Sequence, residues 1–233
     1  MVLNFKFFSV KKVRLNLTFL MLLTLNIYSQ KDSLSLGDTY WEDQLYINVT
    51  YNVLNNQPNT INRSGFSFGF SGGYIKDIPI NKSGKLAFGV GLGYGFDSFN
   101  HDLKVIESNP SIFESGTNIR DNKIKMHNIE IPIQFRWRSS TANTYSFWRI
   151  YTGFKISYNL SNSFSYFESN RLVSISDLSE FNKFQTGLIL SAGYGSFNFH
   201  AYYGLTPIFN SARINGEKIN TKILRFGLSF YLL

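Results

Sequence analysis

The residues best placed to do chemistry in this sequence are polar side chains that recur on one face of otherwise apolar, alternating segments. Such side chains need partners where water is scarce, because burying an unpaired charge is costly. The pattern therefore predicts a network of salt bridges and hydrogen bonds inside the protein, or alternatively an anion or proton path through an incompletely filled interior. Glu130 is the main inward acid of the predicted set, which consists of Glu130, Gln134, Arg136, Arg149, Lys155, His200 and Arg225.

The three histidines do not stand in a pattern that predicts catalysis. His101 precedes Asp102, but adjacent residues of an extended chain point to opposite sides, so the two make a poor acid–base pair. His127 is expected to face lipid and His200 to point inward, and none of the three accompanies a recognisable nucleophile motif. We therefore predict that the protein is not an enzyme, with a lipid-modifying or proteolytic barrel as the weaker alternative.

The sequence also lacks the patterns that hold common cofactors and metals. It has no cysteine, so neither a thiolate metal site nor a disulfide can form. The glycines between residues 89 and 95 recur at every second position, which is not the spacing of a phosphate-binding loop. We predict no catalytic residue, no metal and no cofactor.

Segments with a period of two must position the polar side chains. In the clearest one, Leu86 to Phe96, large apolar residues alternate with Ala87 and four glycines, a composition that disfavours a helix. Most segments have the roughly 9–11 residues that a tilted strand needs to cross a membrane. We therefore predict an all-β, eight-stranded antiparallel up-and-down transmembrane β-barrel, with a soluble exported sandwich or lipocalin-like barrel as the rival. The eight segments cover residues 45–53, 66–74, 86–96, 128–137, 148–157, 184–194, 197–205 and 222–233.

The first thirty residues differ from the rest in charge and hydrophobicity. Residues 5–14 are basic, residues 15–27 are apolar and residues 28–30 offer a small residue for cleavage, as is typical of a signal peptide. An uncleaved membrane anchor is the alternative. Four of the cations behind the formal charge of +8 lie in this segment, and the charge that remains does not predict nucleic-acid binding. We predict a cleaved signal peptide at residues 1–30, a short N-terminal periplasmic segment at 31–43 and the barrel at 44–233.

The lengths of the connections predict an orientation, because barrels of the outer membrane have short periplasmic turns and longer external loops. Long and short connections alternate here in that phase, although the first loop and the first turn are about equal. External loops are predicted at residues 54–63, 97–123, 161–182 and 206–220, and turns at 77–85, 139–146 and 195–196.

Tyrosine and tryptophan predict two membrane interfaces on the apolar face. We assign one aromatic girdle to the periplasmic strand ends and one to the external strand ends. The periplasmic girdle comprises Tyr74, Trp137, Trp148 and Tyr194, and the external girdle comprises Tyr51, Tyr94, Tyr158 and Tyr203.

The third predicted loop is rich in aromatic residues among serines and asparagines. Loops held by a rigid scaffold often carry the binding residues of a protein. These aromatics are candidate anchors for a partner, or alternatively they pack against the loop itself or the barrel mouth. They are Phe164, Tyr166, Phe167 and Phe181.

The run Asn128-Ile129-Glu130-Ile131-Pro132-Ile133-Gln134-Phe135 resembles a strand typical of a small outer-membrane β-barrel family of Bacteroidota, labelled porin family or PorT-like. The glycine-marked runs at residues 91–95, 151–155, 191–194 and 202–205 are similar to that family as well. The resemblance implies location in the cell outer membrane, contact with outer-membrane lipid and, for some members, a role beside proteins of the type IX secretion complex. We therefore expect a non-enzymatic structural or interaction component of the envelope, with a narrow solute channel as the alternative.

Overall fold

A computed structural model describes residues 42–58, 61, 65–108, 110–116, 118–139 and 147–232. The predicted signal peptide at residues 1–30 lies outside these residues, as does all of the predicted periplasmic segment except Glu42 and Asp43. Within the described part of the chain, no helix is long and apolar enough to cross a membrane.

The described residues form thirteen strands, of which eight long ones make the wall of a barrel. The other five are short and lie in the connections at one end. The strands are β1 (Gln44–Asn55), β2 (Phe68–Pro79), β3 (Leu86–Asn100), β4 (Leu103–Ile106), β5 (Ile112–Ser115), β6 (Ile119–Arg138), β7 (Trp148–Glu168), β8 (Arg171–Ser176), β9 (Phe184–Tyr194), β10 (Phe197–Gly204), β11 (Arg213–Ile214), β12 (Glu217–Lys218) and β13 (Lys222–Leu232).

The barrel is closed, antiparallel and connected up and down. Each long strand pairs with its neighbour along the chain, β6 pairs with β7, and β13 pairs with β1 from Leu45 opposite Leu232 to Asn55 opposite Lys222. Closure leaves none of the eight strands with a free edge, which is how such barrels satisfy their backbone hydrogen bonds in lipid. The predicted eight-stranded barrel is confirmed.

Apolar side chains point outward from the barrel wall and polar or small ones point inward. In β3, Phe88, Val90, Leu92 and Tyr94 are exposed while Ala87 and Gly89 are buried. Glycine is required inside at Gly93, because a Cβ there would collide with the Tyr46 hydroxyl. This arrangement is the reverse of a soluble barrel, whose apolar residues face inward.

The strands are longer than the sequence predicts, and they extend into both the predicted turns and the predicted loops. The predicted turn at residues 77–85 and the predicted loop at 97–123 each begin inside a strand, because β2 runs to Pro79 and β3 runs to Asn100. The predicted loop at residues 161–182 is also wrong, since β7 continues to Glu168 and pairs there with β8.

The end of the barrel with the long connections is therefore a folded structure rather than a set of open loops. Residues 119–127 of β6 and 161–168 of β7, which we call upper β6 and upper β7, form an extended sheet with β8. The β4–β5 and β11–β12 hairpins lie in the neighbouring connections. We call this assembly the platform, and the opposite end the turn end. A buried apolar cluster fills the platform, and it includes Phe99, Val105, Phe113, Ile124, Phe164, Ile208, Phe209 and Ile219.

Candidate functional site: a layered polar lumen

Three layers of side chains fill the barrel between the turn end and the platform. Two of the layers are ionic, and an aromatic layer separates them. The apolar cluster of the platform closes the far end. The first ionic layer contains Asp97, Glu130, Lys155, His200 and Arg225, the aromatic layer contains Tyr46, Ile75, Tyr151 and Tyr231, and the second ionic layer contains Glu42, Asp77, Arg136, Arg138 and Arg149.

In the first ionic layer, Asp97 and Arg225 form a bidentate salt bridge. Arg225 Nε donates to Asp97 Oδ1 at 2.9 Å and Arg225 Nη2 donates to Oδ2 at 2.6 Å. Asn52 Nδ2 also donates to Oδ1, at 2.7 Å. Both charged side chains are at most 5% exposed, so the pair is shielded from water. Charge-assisted bidentate bonds of this kind hold both partners in fixed positions.

The second pair of this layer is Glu130 with Lys155. Lys155 Nζ lies 2.9 Å from both carboxylate oxygens of Glu130, and the ammonium also lies 4.9 Å from the centre of the Tyr202 ring. Arg225 stacks on the same ring at 4.3 Å. The formal charges of Asp97, Glu130, Lys155 and Arg225 cancel, so each buried charge of the layer has an opposite charge beside it.

The aromatic layer separates the two ionic layers with large, buried side chains. Tyr151 and Tyr231 pack edge to face with ring centres 5.3 Å apart, and Tyr46 and Ile75 complete the layer. Arg136 lies 4.3 Å from the centre of the Tyr151 ring on the turn-end side. Edge-to-face geometry is one of the two arrangements that aromatic pairs prefer.

The second ionic layer closes the turn end, where two acids bridge three arginines. Asp77 accepts from Arg136 at 2.6 Å and from Arg138 at 2.7 Å. Glu42 accepts from Arg138 at 2.9 Å and from Arg149 at 2.7 Å. The three arginines are also bonded to backbone carbonyl oxygens: Arg136 to that of Glu42, Arg138 to that of Gly84 and Arg149 to that of Gly195. The segment before β1 thus contributes an acid to the interior of the barrel.

Asp43, next to Glu42, holds the same segment on the outside of the wall. Its carboxylate accepts from the Tyr74 hydroxyl and from Lys76 Nζ, each at 2.6 Å, and from the Asp77 amide at 2.9 Å. Burial alone would raise the pKa of Asp43, but these hydrogen bonds outweigh it and leave the pKa below its ordinary value. Glu42 and Asp43 therefore attach the start of the barrel to both faces of the wall.

The cavities of the lumen are small. Two cavities of about 10 Å³ each flank the Glu130–Lys155 pair, and Asn48 and His200 line both of them. This volume is about what a single water molecule requires. The arrangement can hold charges and isolated waters, and the second cavity is lined by Tyr46, Ile75 and Tyr231 of the aromatic layer.

The structure brings together most of the side chains predicted to face inward. Lys155, Glu130, His200 and Arg225 share the first layer, while Arg136 and Arg149 share the second. Gln134 is buried between the two layers, where it lines the cavity near Tyr46. Sequence reasoning missed the three acids Glu42, Asp77 and Asp97, so Glu130 is not the principal inward acid.

The aromatic residues of the third predicted loop are buried or partly buried, unlike surface anchors for a partner. Phe164, Tyr166 and Phe181 are at most 3% exposed, and Phe167 is partly buried. The Phe164 ring packs on Phe209 in the apolar cluster, and the Tyr166 hydroxyl donates to the Val105 carbonyl oxygen. Three of the four are therefore inaccessible to a partner. They pack inside the protein, which was the alternative to partner binding.

The histidines occupy three unrelated environments. His101 is fully buried in the platform, where its Nδ1 accepts from the Leu103 amide and burial lowers its pKa to about 3. His127 lies on the outer face beside Tyr94, and His200 lies in the first ionic layer. Within the described residues, no group of three or more histidine, aspartate or glutamate side chains has the geometry of a metal site.

The aromatic residues assigned to the girdles all lie on the outer surface. All eight are 38–60% exposed, as expected for side chains that face lipid. On β6 the outward residues from Trp137 to Ile129 span about 27 Å along the strand, or about 21 Å along the membrane normal at a tilt of about 40°. Tyr74, Tyr94 and Tyr158 are not at the ends of their own strands, because β2, β3 and β7 continue past them. Tyr74 lies opposite Leu45 near the start of β1. The eight are Tyr51, Tyr74, Tyr94, Trp137, Trp148, Tyr158, Tyr194 and Tyr203.

Comparison with known families identifies the class of protein. Residues 28–210 match the family described as "Outer membrane protein beta-barrel domain". The chain belongs to this family, and the closed barrel with an apolar outer surface is the fold that the description names. The protein is therefore an outer-membrane β-barrel, and its barrel continues past the matched region to Leu232 in β13.

Solved structures similar to this chain are distant. Ail, the attachment invasion locus protein of Yersinia pestis, is 15% identical, with 83% of this chain and 99% of that chain covered and a TM-score of 0.34. A mutant porin of Rh. blastica is 8% identical, with 83% and 100% covered and a TM-score of 0.22. No curated protein sequence matches this chain.

Proposed function

We propose that the protein is a non-enzymatic, non-conducting barrel that serves as a structural or interaction component of the outer membrane, as an accessory to protein secretion. The observation that carries this proposal is the filled lumen. Two ionic layers, an aromatic layer and an apolar cluster occupy the interior, so the surfaces left for function are the outer wall and the platform. Eight-stranded barrels are in general just wide enough for their own side chains.

The platform supports the interaction part of the proposal. It has its own buried cluster, and the ion pair between Lys104 of β4 and Glu168 of β7, at 2.6 Å, links a hairpin to the extended sheet. A preorganised surface of this kind loses little conformational entropy when a partner binds. Two exposed apolar side chains lie on it, Leu172 on β8 and Ile112 on β5, which are 56% and 48% exposed.

The secretion role rests on the resemblance of residues 128–135 to the PorT-like family, so it is the more specific part of the proposal. Affinity purification from detergent-solubilised outer membranes tests it. We expect envelope or secretion proteins to co-purify with the full chain, and Leu172→Asp or Ile112→Asp to reduce their yield. The matched control is Ile80→Asp, because Ile80 is also an exposed apolar residue but lies at the turn end. A lone monomer in every preparation would contradict the interaction role.

A narrow channel is the alternative function, and Glu130→Gln separates the two. The substitution leaves Lys155 buried without its carboxylate partner, because both oxygens of Glu130 contact that ammonium. If the layer is a structural network, the variant loses stability without gaining conductance in planar bilayers. A folded variant that conducts ions would favour a gated path.

A further inference from the structure

The outer face of the platform carries two lysines, Lys123 and Lys125. Lys125 and Lys123 are outward residues of upper β6, since Ile124 and Met126 between and beside them are buried in the apolar cluster. Within the described residues neither lysine forms an ion pair. The two ammonium groups are therefore available to an external anion.

Serine hydroxyls surround these lysines on the neighbouring strands. The register places Ser163 of β7 opposite Lys125 and Ser165 opposite Lys123. On the next strand, β8, Ser176 and Ser174 lie opposite those two serines and are exposed. We call this surface the lysine–serine patch, and it consists of Lys123, Lys125, Ser163, Ser165, Ser174 and Ser176.

The patch contains hydrogen-bond donors and positive charge but no carboxylate. The nearest acids along the chain are Asp121, beyond Lys123, and Asp177, whose Oδ1 accepts from the Asn162 amide. Ammonium and hydroxyl groups together are a favourable set of donors for phosphate oxygens. The chemistry of the surface thus fits a phosphorylated ligand.

The position of the patch along the barrel identifies where that ligand lies. The row of Tyr94, Ile129 and Tyr158 belongs to the outward apolar band, and the next outward row contains His127. Lys125 lies two residues before His127 in β6, so its Cα lies about 14 Å along the strand from Ile129, or about 10 Å along the membrane normal at a tilt of about 40°. The headgroup region extends roughly 5–8 Å beyond the hydrocarbon core, and a lysine side chain can reach back toward it.

We infer that the lysine–serine patch binds the phosphorylated headgroup of a glycolipid in the outer leaflet of the membrane. Continuity with the aromatic girdle favours a lipid over a soluble ligand, because a molecule at this depth beside the wall is anchored by its own acyl chains. The lysines neutralise the phosphate charge, and the serines on β7 and β8 donate to the phosphate or sugar oxygens. This inference is independent of whether the barrel conducts or assists secretion.

The test uses the full chain refolded in detergent and incubated with phosphorylated lipid A, with bound lipid measured by native mass spectrometry. We expect binding to weaken about fivefold for each lysine removed and about 25-fold in Lys123→Gln/Lys125→Gln. Lys82→Gln/Lys85→Gln, between β2 and β3 at the turn end, makes the same charge change and should leave binding unchanged. Heat-dependent gel migration verifies that each variant is folded.

Two further measurements complete the test. Lipid A without phosphate should bind the original protein as weakly as phosphorylated lipid A binds the double-lysine variant. Equal binding of phosphorylated lipid A by the folded double variant and the original protein would overturn the inference. Displacement of the lipid by soluble polyglutamate or inorganic phosphate at comparable concentration would also overturn it, because the patch would then be a general anion surface.

Discussion

Replacing Asp97 by asparagine should destabilise the barrel strongly, because it leaves the Arg225 guanidinium buried without its counter-ion. Asp97 accepts two hydrogen bonds from Arg225, one from Asn52 and a longer one, of 3.5 Å, from Asn128, and it is 3% exposed. The asparagine amide keeps the shape of the carboxylate but places an N–H group against one of the guanidinium donors. Breaking a buried ion pair on one side costs about 3–5 kcal/mol. Glu130 lines the same cavity and offsets part of the lost charge, so we expect about 3 kcal/mol.

A double-mutant cycle separates the pair from its surroundings. Arg225→Gln alone leaves Asp97 unpaired and should also cost about 3 kcal/mol, whereas the double variant should cost about 3 rather than about 6 kcal/mol, because no unpaired charge remains. The assay is unfolding by urea in phospholipid vesicles, followed by tryptophan fluorescence. Glu168→Gln is the matched control, since its ion pair with Lys104 is partly exposed and should contribute less than about 1 kcal/mol.

The reasoning is refuted if Asp97→Asn costs no more than Glu168→Gln. Strict additivity of Asp97→Asn and Arg225→Gln would refute it as well, because two buried groups in direct contact must be coupled. Either result would mean that water reaches Arg225 and that the lumen is more open than its packing indicates.

Two further predictions concern steric fit and pH. Gly93→Ala should prevent folding into vesicles, because the new methyl group collides with the Tyr46 hydroxyl inside the barrel, and gel migration after refolding measures this. Glu180 accepts from the Ser111 amide at 2.8 Å, and although burial would raise its pKa, its hydrogen bonds hold the pKa below the ordinary value of 4.5. The ionised carboxylate of Glu180 therefore stabilises the platform above pH 4.5, and this stabilisation is lost as the pH falls through the lower pKa of the folded state. Pepsin should cleave the platform more readily at the most acidic pH. Glu180→Gln should not show this effect.

The barrel strands could be predicted from the sequence because lipid imposes a simple alternation. Residues 86–96 show it best, with large apolar side chains outward and small ones inward, and the structure has this arrangement in β3. The same rule gave the direction of Glu130 and Lys155, since both lie on the polar sides of their segments. It does not specify which charges pair, because pairing depends on registers across several strands.

The missed acids show where that rule was applied too narrowly. Asp77 and Asp97 continue the inward parity of β2 and β3, but a charged residue after an apolar run also predicts the start of a turn or loop. The charge balance was the available signal, because one predicted inward acid could not neutralise Arg136, Arg149 and the other inward cations. Glu42 shares its parity with Gln44 in β1 but precedes the strand itself.

The platform was missed for a different physical reason. A register shift opposite His127 and Asn128 adds Leu160 to β7 and reverses the parity of the residues that follow. Beyond the shift, Phe164 and Tyr166 point into the apolar cluster while Ser163 and Ser165 point outward. Outside the membrane the outer face meets water, so the alternation is inverted and resembles an irregular polar loop.

Single-channel recording in planar bilayers tests whether the side chains of the lumen close the barrel to ions. The purified, refolded barrel should insert without producing conductance steps, because the aromatic layer around Tyr151 and the platform cluster around Phe209 interrupt the path. Insertion is verified independently by protection of the barrel from added protease. Reproducible, stable conductance steps from the unmodified protein would contradict the account.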